Sequence, residues 1–177
     1  ADHIEEVIND TSVLYSRVFV HSLTGPRVLV KLPWLDDLRE EHENTLSVNF
    51  AHLVVPYDSR VFQRDSAVFV PPYQLGLHDT GFGAPILDDN LAENHLGGII
   101  DTTAGHQYYK FNIGNHVHQY LRDAESAYSD AFYMFAAVGS PVRNIPHRPF
   151  RIVLNGSTNA EESRRPYVRI VYSIIPE

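Results

Sequence analysis

The chain has 177 residues, 44% of them hydrophobic, which suits one domain built around one continuous core. Its net charge is −8, with Lys+Arg 14 against Asp+Glu 22, and a surface of that sign repels phosphate backbones and anionic lipid, so neither nucleic acid nor a membrane surface is expected as a partner. There is no cysteine, which excludes disulfides, thiolate metal sites and a thiol nucleophile.

Prolines and glycines are spread through the chain, and the short apolar runs between them are rich in Val, Ile, Tyr and Phe, as half-buried pleated surfaces prefer. The predicted strands, in order, cover residues 12–22, 27–32 and 46–55. The third is apolar at both parities and reads as a central strand, covered on both faces and stopped by Pro56. Strands over 66–70 and 73–78 flank Pro71 and Pro72, which cannot continue a ladder. Residues 98–101, 108–113, 131–138, 151–154 and 167–175 complete the set. In 108–113, Tyr109, Phe111 and Ile113 share one face and Tyr108, Lys110 and Asn112 the other. In the last strand Val168, Ile170, Tyr172 and Ile174 form the expected core face, and Tyr167, Arg169, Val171, Ser173 and Ile175 a wetter one.

Two short helices interrupt the strands. Residues 34–42 put Trp34, Leu35 and Leu38 on one side, with Pro33 at the start, where a missing N–H costs little. Residues 115–123 carry Val117, Tyr120 and Leu121 at helical spacing, with Asn115 as candidate cap. The connections 79–96, 139–149 and 155–165 read as loops, where a rigid sandwich usually carries its contacts. No apolar run reaches the ~18 residues of a membrane helix. The expected architecture is one all-β domain over 1–177, a two-sheet antiparallel sandwich of jelly-roll type with residues 1–11 as a lead-in and the two helices in connections. A secretion signal, if the protein has one, would lie outside the sequence.

Candidate chemistry is sparse. His116 and His118 would face one side of a strand and could bridge a metal, but they open a predicted helix, where i and i+2 diverge by ~200°, and Arg122 occupies the position of a carboxylate partner. The plainer reading is two polar residues on an exposed turn. Asp88, Asp89 and Asn90, near Asp79 and Glu93, offer closely spaced oxygens for calcium, yet they lack the spacing of a known loop motif and read more simply as a solvated loop or a helix cap. Asp36, Asp37, Glu40, Glu41 and Glu43 could suggest glycosidase carboxylates, but they fit the wet face of the first helix. No Gly-x-Ser-x-Gly or phosphate-binding glycine pattern occurs. Tyr57, Tyr73, Tyr108 and Tyr128 lie nearest loops and could stack on sugars, against the alternative that they fill or rim the core. No catalytic residue, metal or cofactor is therefore expected.

Several segments in order resemble a Bacteroidota envelope-lipoprotein family, the domain of unknown function numbered four-two-seven-zero. They are Val20-His21-Ser22-Leu23-Thr24-Gly25, Lys31-Leu32-Pro33 with Leu35, and Val48-Asn49-Phe50-Ala51-His52-Leu53. Pro72-Tyr73-Gln74-Leu75, Gly97-Gly98, Tyr109-Lys110-Phe111-Asn112-Ile113 and His118-Gln119-Tyr120-Leu121 follow. Val153-Leu154-Asn155-Gly156 and Arg165-Pro166-Tyr167-Val168-Arg169-Ile170 close the series. The resemblance implies an exported sandwich module tethered through an N-terminal lipidated cysteine; no cysteine occurs here, so the tether either lies upstream or was never present, and the resemblance brings no catalytic residues. The expected function is a non-catalytic cell-envelope module that binds a protein partner or helps assemble an envelope complex, through loops 79–96 and 139–149. The alternatives are a carbohydrate-binding module and, second, a glycan hydrolase on the same scaffold.

Overall fold

The computed structural model describes residues 15–21, 27–42, 45–60, 71–81, 85–86, 88, 97–103, 107–122, 127–137 and 150–175. The strands are β1 (Arg17–His21), β2 (Val28–Lys31), β3 (Leu46–Pro56), β4 (Gln74–Asp79), β5 (Gly97–Asp101), β6 (Tyr108–Asn112), β7 (Ala131–Ala137), β8 (Arg151–Asn155) and β9 (Tyr167–Ile174). Helix α1 spans Trp34–His42 and α2 spans Gly114–Arg122. The strand expected over 66–70 and the loop 139–149 lie outside the described residues.

The strands pair antiparallel in a nested series: β1 with β8, β2 with β7, β3 with β6, and β4 with β5. That nesting is the connectivity of a jelly roll, and the two-sheet, all-β sandwich with helices in its connections is the fold of this chain. The division between sheets is unequal. One sheet holds β1 and β8, and the other runs β2-β7-β4-β5-β6-β3-β9. The large sheet is continuous because β5 pairs with β6 as well as with β4.

The β5 junction depends on glycine. Gly97 and Gly98 both have positive φ, 75° and 64°, and the β5–β6 register shifts between Gly97 and Ile99. A Cβ on Gly98 would come within 2.2 Å of the Leu75 carbonyl oxygen, so only glycine fits this bulge.

Alternation decides what the sheets bury. On β6, Tyr109 and Phe111 are fully buried while Lys110 is exposed, as the alternating pattern predicts. β3 is central as expected, flanked by β6 and β9 with α2 packed on it, but it is not covered on both faces throughout: Ala51, Leu53, Val54 and Val55 are buried, whereas Phe50 and His52, on the face of Val54, are only partly so. Pro56 does not stop the strand but forms its last position, opposite Tyr108, and the ladder continues as the Tyr57 N–H donates to the Gln107 carbonyl at 2.9 Å. The first strand is shorter than expected, beginning at Arg17.

The expected core face of β9 is only half realised. Val168 and Ile170 pack against the core, whereas Tyr172 and Ile174 are exposed, because the outer half of β9 pairs with the less buried start of β3. On α1 Leu35 is fully buried and Leu38 packs against the core, while Trp34 remains 39% exposed. On α2 Val117, Tyr120 and Leu121 face inward.

Two buried tyrosines tie the elements together. The Tyr109 hydroxyl donates to the Pro72 carbonyl at 2.7 Å, and the Tyr120 hydroxyl donates across the helix pair to Asp36 Oδ1 at 2.5 Å. Burial pushes the Tyr109 phenol far above its ordinary range. Burial first, then the hydrogen bond to Asp36, pushes Tyr120 up to about 12. Both phenols therefore ionise in the unfolded chain before they do so in the fold. The stability they contribute is complete below the ordinary value of 10.0 and falls as pH rises from there towards about 12. Urea unfolding from pH 8 to 12, followed with tyrosinate absorbance, is expected to show this decline, with Tyr120→Phe flattening it. Gly98→Ala is expected to lower the unfolding free energy by about 1–3 kcal/mol in the same assay at neutral pH, the usual cost of a strained backbone position.

Candidate binding surface

The structure separates His116 from His118. Both lie on α2, but His116 is fully buried and His118 instead accepts the Val48 N–H through Nδ1 at 3.3 Å. The exposed-turn reading is thus overturned for His116. Its ring stacks edge-on against Tyr128 and Phe132, and Nε2 lies 2.9 Å from the Ser129 carbonyl oxygen and 3.4 Å from Asp79 Oδ2. A carbonyl oxygen only accepts, so Nε2 carries the hydrogen. Nδ1 is buried without a hydrogen-bond partner among the described residues.

Asp79 and Asp88 are both buried, at 1% and 3% exposure, and both carboxylates receive backbone N–H groups. Asp79 accepts from Gly81 at 2.7 Å and from Ser129 at 2.8 Å. Asp88 accepts from the N–H groups of Asn115 and His116, both at 3.0 Å, and so caps α2 from 27 residues away in sequence. The cap expected of Asn115 is therefore supplied by Asp88, while Asn115 donates its own side-chain amide to the same carboxylate at 3.2 Å. Asp89, Asn90 and Glu93 lie outside the described residues, and among the described residues no three acidic or histidine side chains cluster as a metal site would require. The acids of α1 are its wet face: Asp36 binds Arg39 at 2.7 Å, and Asp37, Glu40 and Glu41 are exposed.

Of the four tyrosines singled out, Tyr57 is buried, Tyr108 and Tyr128 are partly buried and Tyr73 is 67% exposed. The register adds Tyr167, which sequence reasoning missed. Tyr167 and Lys110 both pair with Val54, and Tyr108 is two residues from Lys110, so these side chains share one sheet face. Arg169, opposite His52, and His52 itself share that face. Burial, and then the charge of Lys110, hold the His52 imidazole below its ordinary value, so the face keeps its positive charge on Lys110 and Arg169.

The outer edge of β9 ends the large sheet, and among the described residues no strand pairs with it. The Ile175 N–H donates to the Thr45 carbonyl at 2.8 Å, which sets the phase of the β3–β9 ladder. Odd residues of β9 turn their backbone groups to β3. Val168, Ile170, Tyr172 and Ile174 therefore aim N–H and C=O outward. Tyr167, Tyr172, Ile174 and Ile175 are exposed around this eight-residue edge, and no proline interrupts it. Residues 150–175 hold Arg151, Arg164, Arg165 and Arg169 against Glu161 and Glu162, so this end is basic in a chain of net charge −8.

β8 meets the same edge of β3 at its far end. Tyr57 bridges Leu154, and the Asp58 N–H donates to the Val153 carbonyl at 2.8 Å. β8 and β9 thus follow one another along one edge, and residues 156–166 leave the sheet between them. Where the chain departs, the Gly156 N–H donates to the Ser16 carbonyl at 2.9 Å, and a Cβ on Gly156 would lie 1.8 Å from the Tyr15 carbonyl oxygen. A polar cleft of about 280 Å³ opens there, between the start of β1, the end of β3 and the excursion. Its walls carry Arg17, Asp58, Arg60, Asn155, Glu161 and Arg164. Asp58, whose side chain is 5% exposed, accepts from the Arg17 guanidinium at 2.8 Å and from the Arg60 backbone N–H at 3.1 Å.

No protein-family profile, curated protein or solved structure matches this chain. Asp88→Ala is expected to cost about 1–3 kcal/mol in denaturant unfolding, because it leaves the buried His116 N–H at the start of α2 without an acceptor. Asp88→Asn, which keeps one acceptor oxygen, is expected to cost less.

Proposed function

We propose that this protein is a non-catalytic module of the cell envelope that binds an extended segment of a partner protein as an added strand along the outer edge of β9. The single observation that carries this reading is the eight-residue edge, unpaired among the described residues, which presents the backbone groups of Val168, Ile170, Tyr172 and Ile174 outward. An added strand satisfies those groups by main-chain hydrogen bonds, and exposed Tyr172 and Ile174 supply apolar contact. The lateral position beside β9 is in line with β1, which fills the equivalent position beside β8. Arg169, the one charged residue within β9, favours a partner segment with acidic side chains, by charge complementarity that speeds encounter and fixes register. The envelope setting, and export as a lipid-tethered protein, rest on the resemblance of the ordered segments from Val20 to Ile174.

Carbohydrate binding is the second reading, favoured by Tyr108 and Tyr167 on one sheet face. Amide hydrogen exchange separates the two. The complex purified from the envelope is expected to slow exchange at Val168, Ile170, Tyr172 and Ile174, and Tyr172→Pro, which removes one outward donor and no β3 hydrogen bond, is expected to weaken capture of the partner at least about tenfold. Protection confined to Lys110, Tyr108 and Tyr167 on addition of glycan would favour the sugar reading. Unchanged exchange along β9 in the complex would end the strand-addition reading.

A further inference from the structure

We infer that the cleft between β8 and β9 is a recognition site for a carboxylate group, a site independent of strand addition at β9. Hydrogen-bond accounting within the cleft leads there. Asp58 is occupied by Arg17 and the Arg60 N–H, and Glu161 Oε2 by Arg164 Nε at 2.6 Å. Asn159 Oδ1 accepts the Glu161 N–H at 3.0 Å, so its amide nitrogen must be the atom that donates to Asn155 Oδ1 at 3.3 Å. This fixes the Asn155 amide with its oxygen used and its nitrogen spare.

Asn155 is 2% exposed, and its Nδ2 has no hydrogen-bond partner among the described residues. A buried amide nitrogen in that condition is destabilising, and a bound acceptor would offset that cost. The Arg60 guanidinium, which lines the same cleft, has no carboxylate partner among the described residues. Among the described residues, the Asn155 amide and Arg60 are thus donors without a paired acceptor, and the formal charge of the cleft is positive, with Arg17, Arg60 and Arg164 against Asp58 and Glu161.

A planar carboxylate meets this need. It accepts on both oxygens, pairs with a guanidinium through two parallel bonds, and carries a single charge. A dianionic phosphate would meet stronger repulsion from Asp58 and Glu161. Arg17, the cross-strand partner of Asn155, also lines the cleft, and its side chain is 55% exposed while it holds Asp58. The carboxylate could come from a small organic acid, an acidic sugar or a peptide, and the size of the cleft admits each of these only as a compact group.

The test is a titration of the ¹⁵N-labelled full chain at constant ionic strength with acetate, glucuronate, N-acetyl-aspartate amide and inorganic phosphate, read at the Asn155 side-chain NH₂ and the Arg60 Nε–H. Saturable shifts with the carboxylates are expected, with affinity reduced about tenfold in Arg60→Gln, the size of one lost charge-assisted hydrogen bond. The order among the three carboxylates identifies the source. Because Arg60 is exposed, Arg60→Gln is expected to leave the unfolding midpoint unchanged, so weakened binding cannot be ascribed to misfolding. Tighter binding of phosphate than of every carboxylate, affinity unchanged by Arg60→Gln, or no saturable shift at Asn155 would each overturn the assignment.

Discussion

One edge of β3 accepts two different strands, and this constraint shapes the functional end of the molecule. β8 meets that edge only beyond Pro56, through the Tyr57–Leu154 bridge, while β9 takes the rest, from Val54 back to Leu46. A strand that follows β3 throughout would close the second sheet as β1-β8-β3-β6. Here residues 156–166 leave the edge after Asn155 and return at Tyr167, and β1 follows β8 alone. Two consequences arise together: among the described residues β9 is left without an outer neighbour, and the point of departure becomes a cleft walled by side chains from three parts of the chain.

Polar groups inside the fold are used for joining elements. Asp88 satisfies the first N–H groups of α2 from a distant segment, which a local cap cannot do when the helix starts at Gly114 directly after β6. Asp79 and His116 fasten β4 and α2 to residues 128–131 through the Ser129 backbone. The buried carboxylates that resemble a candidate metal cluster in sequence therefore spend their oxygens on backbone donors. Asn155 keeps a buried amide nitrogen to spare after its oxygen is used, in a register that pairs it with Arg17.

The edge of β9 differs from ordinary protected edges. Short strands, prolines or inward charges usually block pairing with other chains. The opposite edge of the same sheet follows that rule, since β2 has four residues and ends on the exposed Lys31. β9 has eight residues, no proline and apolar side chains at Tyr172 and Ile174, with charge supplied only by Arg169. A sheet with one guarded and one unguarded edge is suited to a single added strand in a defined place.

The sequence by itself determined the class of fold and most of the elements. Period-two alternation over Tyr108 to Ile113, the proline-led helix at Trp34 and the double-faced apolar run from Leu46 are local patterns, and local patterns report burial directly. What the tertiary structure alone decided was adjacency. That Asp88 would cap α2 in place of Asn115, that His116 would be sealed in the core while His118 bonded Val48, and that Arg17 would meet Asp58 and Asn155 all depend on strand order and register, which no spacing in the chain encodes. The same holds for Tyr172 and Ile174. Their alternation matches a core face, but whether anything lies over them depends on where β3 loses its cover, a property of the assembled sheets and not of the strand.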